Sequence, residues 1–166
     1  MTHLFNAMSP LTHRAPGLVG AALDSGVAAG LIADLVHVSA PAIGVAARAK
    51  SGPGRLFLVT DAMAVAGTDL SHFTLNGRTI ERRDGHLTLS DGTLAGADIT
   101  LPQAISNMHR HVGLTRAQAL AMATRAPAEA VGLARDIGHL NPGAPADFVY
   151  LSDDLSRVLG GVNTNP

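Results

Sequence analysis

Cysteine is absent from the 166 residues, which excludes disulfides and thiolate metal sites and leaves histidine and carboxylates to hold any metal. Tryptophan is also absent, and four Phe and one Tyr are the only other large aromatics, so a core must be built from Ala, Val, Leu and Ile. Lysine occurs once, at Lys50, and the formal net charge is −1. With no basic cluster or stripe, a nucleic-acid partner is not expected. Every long apolar run is interrupted by Gly, Asp or His, so neither a membrane span nor a signal segment is expected, and the cytoplasm is the expected compartment. Charged residues make up only 15% and hydrophobic ones 46%, a balance that argues against disorder. Eighteen Gly and nine Pro suit many loops between short elements.

The apolar runs predict an α/β fold. Residues 30–37 and 55–60 read as parallel strands. The second contains consecutive Leu56, Phe57, Leu58 and Val59, as expected of a strand buried on both faces. Between them, residues 41–50 have helical spacing, with Ser39 as N-cap and Pro41 in the first turn. A truncated strand is expected to end at His3. After Asp61, three short alternating segments within residues 71–90 are separated by Asn76-Gly77 and Asp84-Gly85, the pattern of an antiparallel meander. Thr100 with Gln103 and Thr115 with Gln118 predict two box-capped helices, the first carrying Leu101, Ile105, Met108 and Val112 on one face. A further short helix should start at Pro127 and end at Gly132, before a last strand over residues 147–151.

Two groups carry the chemical signal. Thr2-His3-Leu4-Phe5-Asn6-Ala7-Met8 presents an imidazole followed by an amide, and Leu58-Val59-Thr60-Asp61-Ala62 delivers a carboxylate at a strand end. Taken alone, His3 reads as a structural histidine and Asp61 as a helix N-cap with residues 62–64 following helically. Together with Gly92-Thr93-Leu94-Ala95-Gly96 and the Asn141-to-Phe148 segment, they resemble the N-acetylglucosamine-6-phosphate deacetylase family, metal-dependent amidohydrolases built on a TIM barrel. The resemblance implies that His3 is a ligand of a divalent metal, zinc or iron(II), and that Asp61 is the general base and acid. It implies that Asn6, Ala7, Leu94, Ala95 and Gly96 hold the sugar and that Arg14 and His37 meet its 6-phosphate. A homodimer is implied, because in this family one phosphate contact comes from a neighbouring subunit. Five other histidines (His13, His72, His86, His109 and His111) are read as surface residues.

A TIM barrel needs roughly 250 residues and eight strands. The expectation is therefore the C-terminal portion of a barrel: residues 1–135 with the meander, followed by residues 136–166 as strands of a small β-domain. The family's other metal ligands lie upstream of His3, so an N-terminal half is expected to be missing and the isolated chain to be inactive. The alternative is a non-catalytic fragment that keeps only a dimerising or sugar-phosphate-binding surface.

Overall fold

The computed structural model describes residues 1–163. Its central unit is a two-stranded parallel sheet of β1 (Ala29–Ile32) and β2 (Leu56–Val59), with Ala29 opposite Leu56 and Ile32 opposite Val59. The connection runs over α2 (Ala40–Ala49), which has Ser39 at its N-cap and proline in its first turn. Helix α1 (Gly17–Asp24) precedes β1 and packs on α2, burying Val19, Ala22 and Leu23 at helical spacing. Its N-cap is Pro16 and no side chain caps it, so the sequence carries no start signal for this helix. Helices α3 (Leu101–Arg110), α4 (Arg116–Ala123) and α5 (Arg125–Ala130) pack against β2. One cluster joins these layers, with Leu4, Leu31, Ile43, Leu58, Ile105 and Met108 among its buried members.

Both capping boxes form. Thr100 and Thr115 each accept the N–H of the glutamine three residues on, and that glutamine's side chain returns to the cap backbone. On α3, Ile105 and Met108 are buried as expected but Leu101 is exposed. Helix α5 begins at Arg125, two residues before Pro127, and the left-handed Gly132 follows it.

The meander consists of β3 (His72–Leu75), β4 (Arg78–Arg83) and β5 (His86–Leu89), antiparallel throughout. Asn76-Gly77 and Asp84-Gly85 all have positive φ, which two-residue turns with the twist of the flanking strands demand. It has a small core of its own, Val65, Ile80 and Leu87. A final antiparallel pair, β6 (Phe148–Leu151) and β7 (Val158–Val162), is tied to the main body at its turn: Leu155 joins the main core, and the Ser106 hydroxyl donates to the Asp154 carbonyl at 2.6 Å.

Several expectations need correction. The run over residues 30–37 is strand only to Ile32, because Asp34 folds the next residues into a turn by accepting the N–H groups of Val36 and His37. Strand β2 is not buried on both faces: Leu56 and Leu58 are buried, while Phe57 and Val59 are half-buried. Residues 62–64 are not helical, and Ala62 forms a parallel bridge to Ala97. Residues 1–3 form no strand. The Met1 carbonyl accepts from Gly30 and the Gly30 carbonyl from Leu4, one residue later than a regular parallel ladder allows, because His3 has a left-handed φ of 38° and inserts an extra residue. His13, His72 and His111 are exposed as expected, but His86 and His109 are half-buried. His109 Nδ1 is 2.7 Å from the Leu114 carbonyl and closes the end of α3.

Candidate active site

Parallel pairing places the chain that follows Ile32 and the chain that follows Val59 at one end of the sheet. Of the expected site residues, His37, Asp61, Ala95 and Gly96 are brought together there, while the turn carrying His3, Asn6 and Ala7 is bonded alongside β1 at Gly30. In the first turn, His3, Phe5 and Ala7 all have positive φ, at 38°, 77° and 53°. Non-glycine residues occupy that region at a cost, and such clusters mark places where side-chain direction is constrained. Here His3 Nδ1 is 2.9 Å from the Asn6 carbonyl, and the Asn6 N–H returns to the His3 carbonyl at 2.9 Å. With Nδ1–H donating, Nε2 keeps its lone pair, the tautomer a metal-ligating histidine requires. The Asn6 side chain donates to the Leu4 carbonyl at 3.4 Å.

Asp61 stands two residues beyond β2, exposed, with φ of 51°. The exit of the meander lies along its backbone. Ala97 N–H donates to the Asp61 carbonyl at 3.0 Å, and Gly96 N–H points at Met63 Sδ at 3.1 Å. Ala95 and Gly96 are half-buried and Leu94 is exposed. Gly96 is required by this fit, since a Cβ there would lie 2.5 Å from the Asp61 carbonyl oxygen.

His37 joins the turn after β1 to the exit of the meander. Its Nδ1 is 2.6 Å from Asp34 Oδ2 and its Nε2 is 2.9 Å from the Ala95 carbonyl. Burial of the ring opposes its charge. The hydrogen bonds to Asp34 and Ala95, together with the charges of Asp34 and Asp61, outweigh burial and raise the imidazole above its ordinary value. The Ala95 carbonyl can only accept, so Nε2 donates to it, and in the protonated ring Nδ1 donates to Asp34 as well. Neither N–H is free for a phosphate in this arrangement, and His37 acts here as a clamp on residue 95.

Arg14 is exposed on a turn closed by the Thr12 hydroxyl and the Ala15 carbonyl. Three further residues shape the site without having been singled out from the sequence. Asp34 orients His37. Asn107 on α3 donates to the Ala33 carbonyl at 2.8 Å, satisfying a buried acceptor at the end of β1. Arg82 reaches from β4 to the Val65 and Thr68 carbonyls and pairs with Asp98 at 2.7 Å, holding the segment after Asp61 against the meander. The Asp-x-x-His spacing was a readable sign for the first of these; the other two are long-range contacts. A groove of about 770 Å³ beside α5, lined by Arg125, Glu129, Arg135 and His139, contains none of the expected site residues. Glu129 also meets Arg55, which precedes β2, so this groove borders the sheet end opposite Asp61.

The model of the amidohydrolase family matches residues 1–165. The chain belongs to the amidohydrolase family. This amidohydrolase chain is 36% identical over 164 residues to the N-acetylglucosamine-6-phosphate deacetylase of Haemophilus influenzae, covering 97% of this chain and 42% of that one. It is 41% identical over 162 residues to the N-acetylgalactosamine-6-phosphate deacetylase of a Shewanella strain, covering 95% and 40%. Its structure matches the crystal structure of N-acetylglucosamine-6-phosphate deacetylase from Pasteurella multocida with a TM-score of 0.92 at 39% identity, over 98% of this chain and 42% of that one. The chain thus spans about two fifths of the length of these relatives. The expected α/β fold, part of a TIM barrel, and the resemblance to hydrolytic deacetylases hold.

Amidohydrolases generally use a divalent metal. The residues here do not by themselves fit one: among the described residues, no three His, Asp or Glu come together to hold an ion. His3 offers one nitrogen, where a catalytic metal takes about three protein donors. None of the described helices is long and apolar enough to cross a membrane.

Proposed function

We propose that this chain is part of a metal-dependent deacetylase that hydrolyses N-acetyl-D-glucosamine 6-phosphate to D-glucosamine 6-phosphate and acetate, a step of amino-sugar catabolism. The observation that carries the reading is Asp61: an exposed carboxylate at the C-terminal end of a parallel strand, fixed by its own left-handed backbone and by Ala97, in a chain that belongs to the amidohydrolases. A carboxylate in that position takes a proton from water as the water oxygen forms its bond to the acetyl carbonyl carbon. It then passes that proton to the departing amine, so one group serves both half-steps.

Asn6 through its amide and Ala7 through its backbone line one side of the sugar site, with Leu94, Ala95 and Gly96 on the other. Arg14 supplies a guanidinium fork for the phosphate, whose geometry suits two parallel hydrogen bonds. His37 supports this grip by holding residue 95. His3 is the one donor this chain would offer to a zinc or iron(II) ion. A homodimer in the cytoplasm, in which a second copy completes the phosphate contacts, goes with this reading. Relatives carry the names of both the gluco and the galacto epimer, so N-acetyl-D-galactosamine 6-phosphate is the competing substrate.

A second reading, a non-catalytic fragment retaining a sugar-phosphate-binding or dimerising surface, is favoured by the absence of a three-donor cluster among the described residues. The experiment that separates them measures bound metal and acetate release for residues 1–166, alone and mixed with the remaining portion of a full-length relative. On the first reading the chain alone is inactive, the mixture gains metal and activity, and Asp61→Asn removes the activity while sparing the metal. A mixture that never releases acetate supports the second. Turnover by the short chain alone would overturn the argument from missing donors.

A further inference from the structure

Between the ends of β1 and β2 lies a relay of contacts that the expected site residues do not account for. Asp34 uses both carboxylate oxygens: Oδ1 accepts from the N–H groups of Val36 and His37 at 3.0 and 2.9 Å, and Oδ2 meets His37 Nδ1 at 2.6 Å. The two side chains are only 10% and 7% exposed. The ring thus held presents Nε2 to the Ala95 carbonyl, 58 residues away in sequence. Two residues further on, Ala97 N–H holds the Asp61 carbonyl, and Ala62 bridges Ala97.

We propose that Asp34 is a positioning residue for Asp61, acting through the His37 ring and the Ala95-to-Ala97 backbone. The consequence for catalysis rests on the reading of Asp61 given above; the relay itself does not. Its physical basis is that the Ala95 carbonyl can only accept. An imidazole that donates from Nε2 while Nδ1 faces a carboxylate must carry both protons. If His37 is neutral with its proton on Nδ1, Nε2 turns a lone pair toward the carbonyl and repels it. The charged groups acting on the ring are Asp34 from its own turn and Asp61 from the end of β2. Both favour the protonated form, while burial opposes it. Because the folded-state value is raised, the tether is complete below the ordinary imidazole range. It is lost as pH rises through the raised value.

The test uses residues 1–166 without metal or substrate, so its result is independent of whether the chain deacetylates anything. Nitrogen-15 spectra follow the tautomer and titration of His37, and hydrogen exchange, corrected for its intrinsic pH dependence, follows the Ala97 amide. The expected result is that His37 titrates above the ordinary imidazole value and that Ala97 protection falls by about tenfold in step with that titration. In Asp34→Asn, which keeps an Oδ1 acceptor for the turn and turns an amide N–H toward Nδ1, the neutral ring keeps its proton on Nε2, so His37 should titrate lower and Ala97 protection should no longer fall with pH. Should that variant not fold, the wild-type titration decides alone. Ala97 protection indifferent to His37 titration overturns the proposal, and so does an Asp34→Asn chain whose Ala97 protection keeps the parent's pH dependence. In either case the deacetylase reading is left standing.

Discussion

Replacing Gly96 with alanine isolates the fit between the meander exit and the segment carrying Asp61. The backbone at Gly96 is not in the left-handed region, so a methyl group adds no conformational penalty and the cost comes from collision alone. The new Cβ would lie 2.5 Å from the Asp61 carbonyl oxygen, 2.5 Å from Met63 Cγ and 3.0 Å from Met63 Sδ. Met63 can swing aside; the carbonyl is backbone and cannot. Reaching an ordinary contact distance requires the two segments to part by about 0.9 Å. That stretches the 3.0 Å bond from Ala97 N–H to Asp61 beyond hydrogen-bond range. A lost bond of this kind costs about 1 kcal/mol and the overpacking about 1–2 kcal/mol more, so Gly96→Ala should destabilise by about 2–3 kcal/mol. With a urea dependence of about 2 kcal/mol per molar, the midpoint of unfolding should fall by about 1 M. Gly92→Ala is the control, because that site has open space around a φ of +82° and should cost about 1 kcal/mol from backbone strain. A Gly96→Ala chain within about 0.5 kcal/mol of the parent would refute the packing described here.

Two further perturbations test the surrounding framework. Arg82→Met keeps the aliphatic stem but strands Asp98 and the carbonyls of Val65 and Thr68, and should cost about 2 kcal/mol, with early proteolytic cleavage within residues 65–71. Unchanged stability and cleavage would mean that the guanidinium is dispensable. At the β6–β7 turn, hydrogen bonds from the Ser152 and Ser156 hydroxyls and the Ser156 N–H hold the Asp154 carboxyl down to about 2. Its stabilising effect is full above the ordinary carboxylate range and is lost as pH falls through about 2. Thermal unfolding between pH 5 and pH 2 should therefore drop less steeply in Asp154→Asn than in the parent.

Much of this architecture was legible because its signals are local. Asn76-Gly77 and Asp84-Gly85 announce positive φ at two successive positions, and Thr100 and Thr115 announce helix starts by their glutamines. Asp61 at the end of an apolar run was equally visible. What escaped was determined from a distance. Strand β7 contains Gly160 and Gly161 and exists through pairing with β6, so its own propensity is poor. The turn after Ile32 was hidden by an apolar run that continues to Val38, and only the Asp34 side chain breaks it. That misreading kept Asp34 inside a strand. In the fold His37 lies beyond that turn, with its ring between Asp34 and the Ala95 carbonyl. The left-handed His3 has no sequence signature, since histidine rarely adopts it and does so here under constraint from Asn6 and Gly30.

The placement of the meander has a kinetic consequence. Its three strands are joined by two-residue turns and close on the microsecond scale of isolated hairpins, whereas β1 and β2 must meet across the whole of α2. The loop from Ala95 to Ala97 can reach Asp61 only once the intervening meander has folded back, so the surroundings of the carboxylate complete late. Substitutions at Ala29 or Leu58 should then slow folding, an effect that stopped-flow chevrons resolve. On this order of events, the long-range meeting of β1 and β2, not the quick turns of the meander, sets the pace at which the carboxylate reaches its working position.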